Sequence, residues 1–142
     1  MGYLYAILAA VLWGAVYAID QKILATVPPV LLFFLGSVLT SALLAPVVFL
    51  NSDNFKVIAS VDRTTIMLIV TTLVIGILAT LSVMYAVQML GASQASIIEI
   101  AYPFFVVLFS LLIFRTAPGL AFYVGGALIF VGVSVIIYFQ NL

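Results

Sequence analysis

The stretch Gly91–Phe109, GASQASIIEIAYPFFVVLF, holds the one glutamate of the chain, Glu99, just ahead of a long apolar run in which Pro103 is embedded. Whether this segment lies in water or in lipid decides the fold, and the composition around it answers. Of 142 residues, 68% are hydrophobic and 6% charged, whereas a soluble domain is about half apolar and a quarter charged. Four basic and four acidic side chains cannot cover a water-facing surface. The chain is therefore read as a single all-α domain embedded in a bilayer. The zero net charge argues against a nucleic-acid partner, which would require clustered Lys and Arg. With no cysteine and no histidine, disulfides, thiol nucleophiles, zinc sites and imidazole acid–base chemistry are excluded together, and no cofactor or metal is expected.

Five apolar stretches follow one another, divided by short polar or proline-bearing breaks: roughly Gly2 to Leu24, Pro28 to Leu50, Thr64 to Leu90, Ser93 to Phe114 and Pro118 to Phe139. Each approaches the ~20 residues needed to cross about 30 Å of hydrocarbon, so five transmembrane helices are expected over residues 1–142. No period-two alternation supports a β-barrel. The first stretch lacks a basic leader and is too long for a signal peptide, so it is expected to remain in the mature protein. Pro28 and Pro29 suit a helix start, and Pro118 with Gly119 marks a second junction. Asn51 to Asn54 reads as a turn cluster leading into Phe55–Arg63, expected to be an ordinary solvated loop, with a short interfacial helix as the alternative.

An N-terminus in the cytoplasm places Lys56, Arg63 and Arg115 inside and Lys22 outside; the reverse orientation exchanges them. Basic residues favour the cytoplasmic side, so N-in and C-out is expected in the plasma (inner) membrane. The asymmetry is small enough to permit insertion both ways.

Several motifs then occur in a telling order: Trp13-Gly14 in the first helix, the Pro28-Pro29 break, YAVQMLGASQAS bridging helices three and four, Pro103 within helix four, and GGALIFVGVSVII in helix five. Together they resemble one EamA repeat of the drug/metabolite transporter superfamily, over nearly the whole chain. The most specific part is the spacing of Ala86, Ala92, Ser93, Ala95, Ser96 and Pro103. Two departures stand out. Where the family usually carries an acid after helix four, this chain reads Phe114-Arg115-Thr116-Ala117. Family members also commonly have ten helices, made from two such repeats inserted in opposite orientations. The resemblance thus implies one half of a ten-helix inverted-repeat transporter. A lone repeat is expected to find its partner in an antiparallel homodimer, with the solute path between protomers near the midplane.

Glycines mark where membrane helices approach closely. Gly125 and Gly132 share a face of helix five with Gly126 beside them, a candidate dimer seam; packing against helix four or one of the same chain is the equal alternative. Gly36 and Gly76 are expected to serve packing within the chain, and Ser37, Thr40 and Ser41 to bond neighbouring helices.

Glu99 admits two compatible readings. In a helix that starts near Ser93 it lies in the hydrocarbon. There a charged carboxylate is costly by a few kcal/mol, so it would face a cavity, pair with a cation or take up a proton. Alternatively, Ser96-Ile97-Ile98-Glu99 is a capping box and the helix starts at Ser96. The cavity role is preferred, because Pro103 removes a backbone donor one turn deeper, freeing the carbonyl of Glu99 as a helix kink, and irregular backbone is tolerated where it lines water or protein. Other candidates for the same substrate-binding cavity are Trp13, Tyr17 and Asp20 on one face of helix one, with Gln21 and Lys22 adjoining, Tyr85 and Gln88 at the outer end of helix three, and Tyr102. Tyr3, Tyr5, Tyr123 and Tyr138 read as the interfacial aromatic belt.

Such a site suits a small organic solute with an amine or aromatic group. The resemblance narrows the substrate to metabolites, amino acids and drug-like amines. A secondary transporter is the preferred function, with a non-transporting membrane subunit or scaffold, and a flippase for a lipid-linked head group, as alternatives. Enzymatic activity is not expected, since Glu99 has no acidic neighbour or nucleophile at helical spacing.

Overall fold

A computed structural model describes residues 1–51, 53–115 and 119–140. Within them the chain is helical, with no strand. Five segments are long and apolar enough to cross a membrane: Gly2–Ile23, Pro29–Leu50, Arg63–Leu90, Ala92–Ile113 and Leu120–Phe139. At about 1.5 Å per residue, their lengths of 20 to 28 residues correspond to roughly 30 to 42 Å, enough for the hydrocarbon core. The fold is that of an all-α membrane protein.

The elements are α1 (Gly2–Ile23), α2 (Pro29–Leu50), α3 (Asp53–Ser60), α4 (Arg63–Leu90), α5 (Ala92–Glu99), α6 (Tyr102–Phe114) and α7 (Leu120–Gln140). Proline sets the start of α2: Pro28 stands extended at the N-cap and Pro29 takes the first helical position, where the missing N–H would be unpaired anyway. Asp62 caps α4. Its carboxylate accepts from the backbone N–H of Thr64 at 3.0 Å and Thr65 at 3.3 Å, and from the Thr65 hydroxyl at 2.6 Å. The Thr65 side chain chiefly, with these backbone amides, holds the Asp62 carboxyl below the usual carboxylate range.

Two sequence expectations are corrected here. The solvated loop over Phe55–Arg63 is instead the helix α3 followed by the cap and first residue of α4. Asp53 in its first turn favours the helix electrostatically, and Lys56 donates to it at 2.8 Å across one turn. The fourth span, expected to be continuous, is two helices separated by Ile100 and Ala101. Pro103 is the cause. It has no N–H to give to the carbonyl of Glu99, so Ala101 N–H turns back to Ile98 (3.2 Å), Phe104 N–H bonds Ala101 (3.1 Å), and Pro103 falls in the first turn of α6, where a donor is not required. Pro46 sits inside α2 without ending it.

The hydrophobic core cluster lies at one end of the bundle. Tyr17, Leu24, Val87, Ala92 and Ala95 form the buried cluster, with Leu32, Val83, Met84 and Ala86 against it. These residues come from the end of α1, the start of α2, the end of α4 and the start of α5. The first half of α4 is exposed throughout. Accordingly the chain exposes 11257 Å², against about 7,100 Å² for a soluble monomer of this mass. The excess is apolar surface made for lipid or for other helices. α7 is held through Phe104 of α6, whose ring meets Phe130 edge-on at 6.1 Å and lies 3.0 Å from where a Gly126 Cβ would be.

Candidate functional site: the α1–α4–α5 corner

The corner is built by a one-residue turn. Gly91, at φ 85 and ψ 160, reverses the chain between α4 and α5, a backbone region that only glycine occupies readily. Its N–H still closes α4 on the Val87 carbonyl at 2.9 Å, and its own carbonyl accepts from Ala95 at 3.1 Å. Small side chains at Ala92 and Ala95 let α5 come close to α1 and α4.

Two side-chain hydrogen bonds then fasten α1 to this turn. Ala92 N–H donates to Gln21 Oε1 at 2.8 Å, and Gln88 Nε2 donates to the Leu24 carbonyl at 2.9 Å. Each answers a local deficit. The N-cap of α5 is a glycine and has no side chain to offer, so Gln21 supplies the acceptor; the carbonyl of Leu24 lies past the end of α1, so Gln88 supplies the donor. Gln21 stands one turn after Tyr17, and Leu24 one turn further, which places all three on the packed face of α1.

Beside the corner runs an open groove of about 240 Å³, walled by Ser82, Val83, Ala86 and Leu90 of α4 and by Ala95, Ile98 and Glu99 of α5. The Ser82 hydroxyl is committed to the Leu78 carbonyl at 2.7 Å. The Glu99 side chain has no hydrogen-bond or ion-pair partner among the described residues, and neither has that of half-buried Asp20. Glu99 lies seven residues into the fourth span, about 10 Å along it, immediately before the break above Pro103. The groove is open, and Glu99 is exposed in the isolated chain.

The candidates drawn from the sequence separate into groups. Tyr17 is core, 8% exposed, with Trp13 stacked obliquely at 6.3 Å and itself 58% exposed. Gln88 is engaged by Leu24. Tyr85 and Tyr102 are exposed, at 45% and 60%, and neither lines the groove. The capping box does not form: α5 begins at Ala92, so Ser96 lies mid-helix and its hydroxyl donates to the Ser93 carbonyl at 3.1 Å. Gly126 is filled by Phe104 from the same chain, whereas Gly125 and Gly132 have nothing within 4 Å of a built Cβ. The same holds for Gly36 and Gly76, against the expectation that they pack within the chain. Ser37 likewise bonds its own helix, at the Phe33 carbonyl, 2.8 Å. The sequence reading missed Gln21 as the acceptor for Ala92 and missed the Ser82 and Ala86 wall. The signal for the latter was present as small residues four apart on one face of α4.

Five helices long and apolar enough to cross a membrane, with the buried cluster at one end of the bundle and Glu99 on the groove beside it, define an integral membrane protein. The EamA-like transporter family model matches residues 1–138, and the chain belongs to that family. It is thus a membrane transporter of the drug/metabolite superfamily. No curated protein and no solved structure matches the chain significantly.

Proposed function

We propose that the chain is a secondary transporter of small organic solutes, namely metabolites, amino acids or drug-like amines, that works as an antiparallel homodimer with a central cavity. The observation that carries the reading is the match to a transporter family over residues 1–138. Glu99 supports the location of the site. A lone carboxylate at this depth costs a few kcal/mol unless it meets water, a cation or a proton, and the open groove supplies none of these while it faces lipid. A second five-helix unit laid across the α4–α5 face would enclose Glu99 in a shared cavity, with Trp13, Asp20, Tyr85 and Tyr102 in the same half of each unit to receive an amine or aromatic group. The single basic residue on one side and three on the other favour N-in in the plasma membrane, and the difference is small enough to permit insertion in both orientations.

Reconstitution of the protein alone, with a panel of amines, amino acids and sugars, tests the reading. A pH gradient should drive uptake of at least one solute, and Glu99→Gln should abolish the driven component. Absence of flux for every solute, with obligate association to a different membrane protein, would establish the scaffold role instead. Because the chain has no cysteine, single cysteines at residues 2 and 142 report topology directly, and labelling of each from one side only would eliminate the antiparallel pair. A flippase for a lipid-linked head group would need the open groove to face the bilayer laterally; protein-dependent translocation of such a lipid without solute uptake would select it.

A further inference from the structure

α3 has a different character from the other helices. The spans are apolar all round, as lipid-embedded helices are. α3 is two-sided. At about 100° per residue, Phe55, Ile58 and Ala59 fall within one sector, while Asp53, Lys56 and Ser60 fall in the opposite one, with Val57 at the polar margin. The polar side is already organised for water, since Lys56 and Asp53 pair at 2.8 Å with both side chains about three-quarters exposed. The apolar side is uncovered: Phe55 is 48% and Ile58 59% exposed.

The described residues do not cover that side. All the fully buried residues of α2 and α4, Pro29 and Val87, lie at the opposite end of the bundle. Among the described residues the one aromatic neighbour is Phe49, in the last turn of α2, whose ring stands 5.4 Å from that of Phe55. The connections leave α3 little choice of place. Two residues separate Leu50 from Asp53 and two separate Ser60 from Arg63, so either link reaches at most about 11 Å. The first is drawn in further by the Asp53 N–H donating to Asn51 Oδ1 at 3.3 Å, the second by the Asp62 cap on α4. The 22 residues of α2 measure about 33 Å, barely more than the hydrocarbon thickness, so its end already stands at the boundary.

We propose that α3 lies along the membrane surface with its Phe55–Ile58–Ala59 face seated in the boundary between lipid headgroups and acyl chains, on the side that carries Lys56, Arg63 and Arg115. The occupant of this face is lipid, and its affinity is mainly apolar, because Lys56 and Arg63 are balanced by Asp53 and Asp62 within the same segment. At about 12 Å in length, a helix fixed there separates the ends of α2 and α4 by more than the 8–10 Å of packed helices. That matches the position of the α1, α2, α4 and α5 core cluster at the far end.

The test uses the full chain in vesicles of phosphatidylcholine and phosphatidylglycerol, with single nitroxide labels in turn on Phe55→Cys, Ile58→Cys, Lys56→Cys and Ser60→Cys. A water-soluble nickel relaxant is included on both sides of the membrane, so that orientation does not matter, and oxygen serves as the apolar relaxant. The oxygen-to-nickel collision ratio should be severalfold higher at residues 55 and 58 than at 56 and 60. Equal, nickel-dominated ratios at all positions would overturn the proposal in favour of a solvated segment. Shielding of 55 and 58 from both relaxants would overturn it in favour of a protein partner on this face.

Discussion

The two glutamines of the α1–α4–α5 corner make opposite chemical demands, and this gives a sharp prediction. Gln21 must accept, because its partner is the Ala92 N–H at 2.8 Å; Gln88 must donate, because its partner is the Leu24 carbonyl at 2.9 Å. An amide can do either; a carboxylate can only accept. Gln21→Glu therefore keeps its bond and adds a negative charge at the N-terminus of α5, where the helix dipole favours it. Gln88→Glu loses its bond and sets an anion against a carbonyl oxygen. Both alanine variants leave a part-buried backbone group unpaired. Side-chain hydrogen bonds within membrane helices average about 0.6 kcal/mol, and orphaning a buried group costs about 1–3. We therefore expect about 1 kcal/mol for Gln21→Ala and for Gln88→Ala, a shift of roughly fivefold in the unfolding constant. Gln88→Glu should cost more than Gln88→Ala, while Gln21→Glu should stay within about 0.5 kcal/mol of wild type. Since the bonds lie side by side, the double alanine variant should fall short of additivity. Reversible unfolding in mixed micelles at increasing dodecyl sulfate fraction, followed by far-ultraviolet circular dichroism at neutral pH, measures all of these. Equal destabilisation by Gln21→Glu and Gln21→Ala, or a wild-type-like Gln88→Glu, would refute the assigned roles.

Three further outcomes are expected in the same assay. Gly91→Ala should cost about 1–3 kcal/mol through backbone strain alone, because the nearest atom to its new Cβ would be Gln21 Oε1 at an ordinary 3.6 Å; a neutral substitution would mean that the turn is not held at this φ. Gly126→Leu should destabilise by about 1–3 kcal/mol as it collides with the Phe104 ring, whereas Gly132→Leu, with open space around it, should leave the midpoint of the chain in dilute micelles unchanged. Asp62 is held below the usual carboxylate range in the folded state. Its capping contribution is therefore fully present above the unfolded carboxylate range and is lost as pH falls through the lower folded value. Asp62→Asn should flatten this acid limb of the stability profile, and an unchanged limb would show that another group controls it.

The membrane class and the number of spans could be read from the sequence because they depend on sums. Eight charges in 142 residues, and apolar runs of about 20, force the chain into lipid whatever its side chains touch. The helix start at Pro28-Pro29 also follows from local chemistry, a missing donor, whereas the Asp62 cap on α4 lay hidden within the expected loop. The site was legible only in outline. Glu99 was singled out because a lone acid in an apolar run is costly, but the groove beside it depends on Ser82 and Ala86 meeting Ala95 across two helices.

Tertiary structure alone decided which polar groups are used up in holding the corner together. Tyr17 and Gln88 looked as available as Tyr85 or Glu99 in one dimension. Their commitment follows from the positive φ of Gly91, which brings the start of α5 against the end of α1 and so gives Gln21 and Gln88 partners 71 and 64 residues away. The sequence could likewise place Pro103 in the fourth span and could not tell a kink from a full break. The outcome depended on whether the neighbouring carbonyls found shorter-range donors once the proline withheld its own. Local rules determine what each segment can be, while long-range partners determine which of its polar atoms remain free.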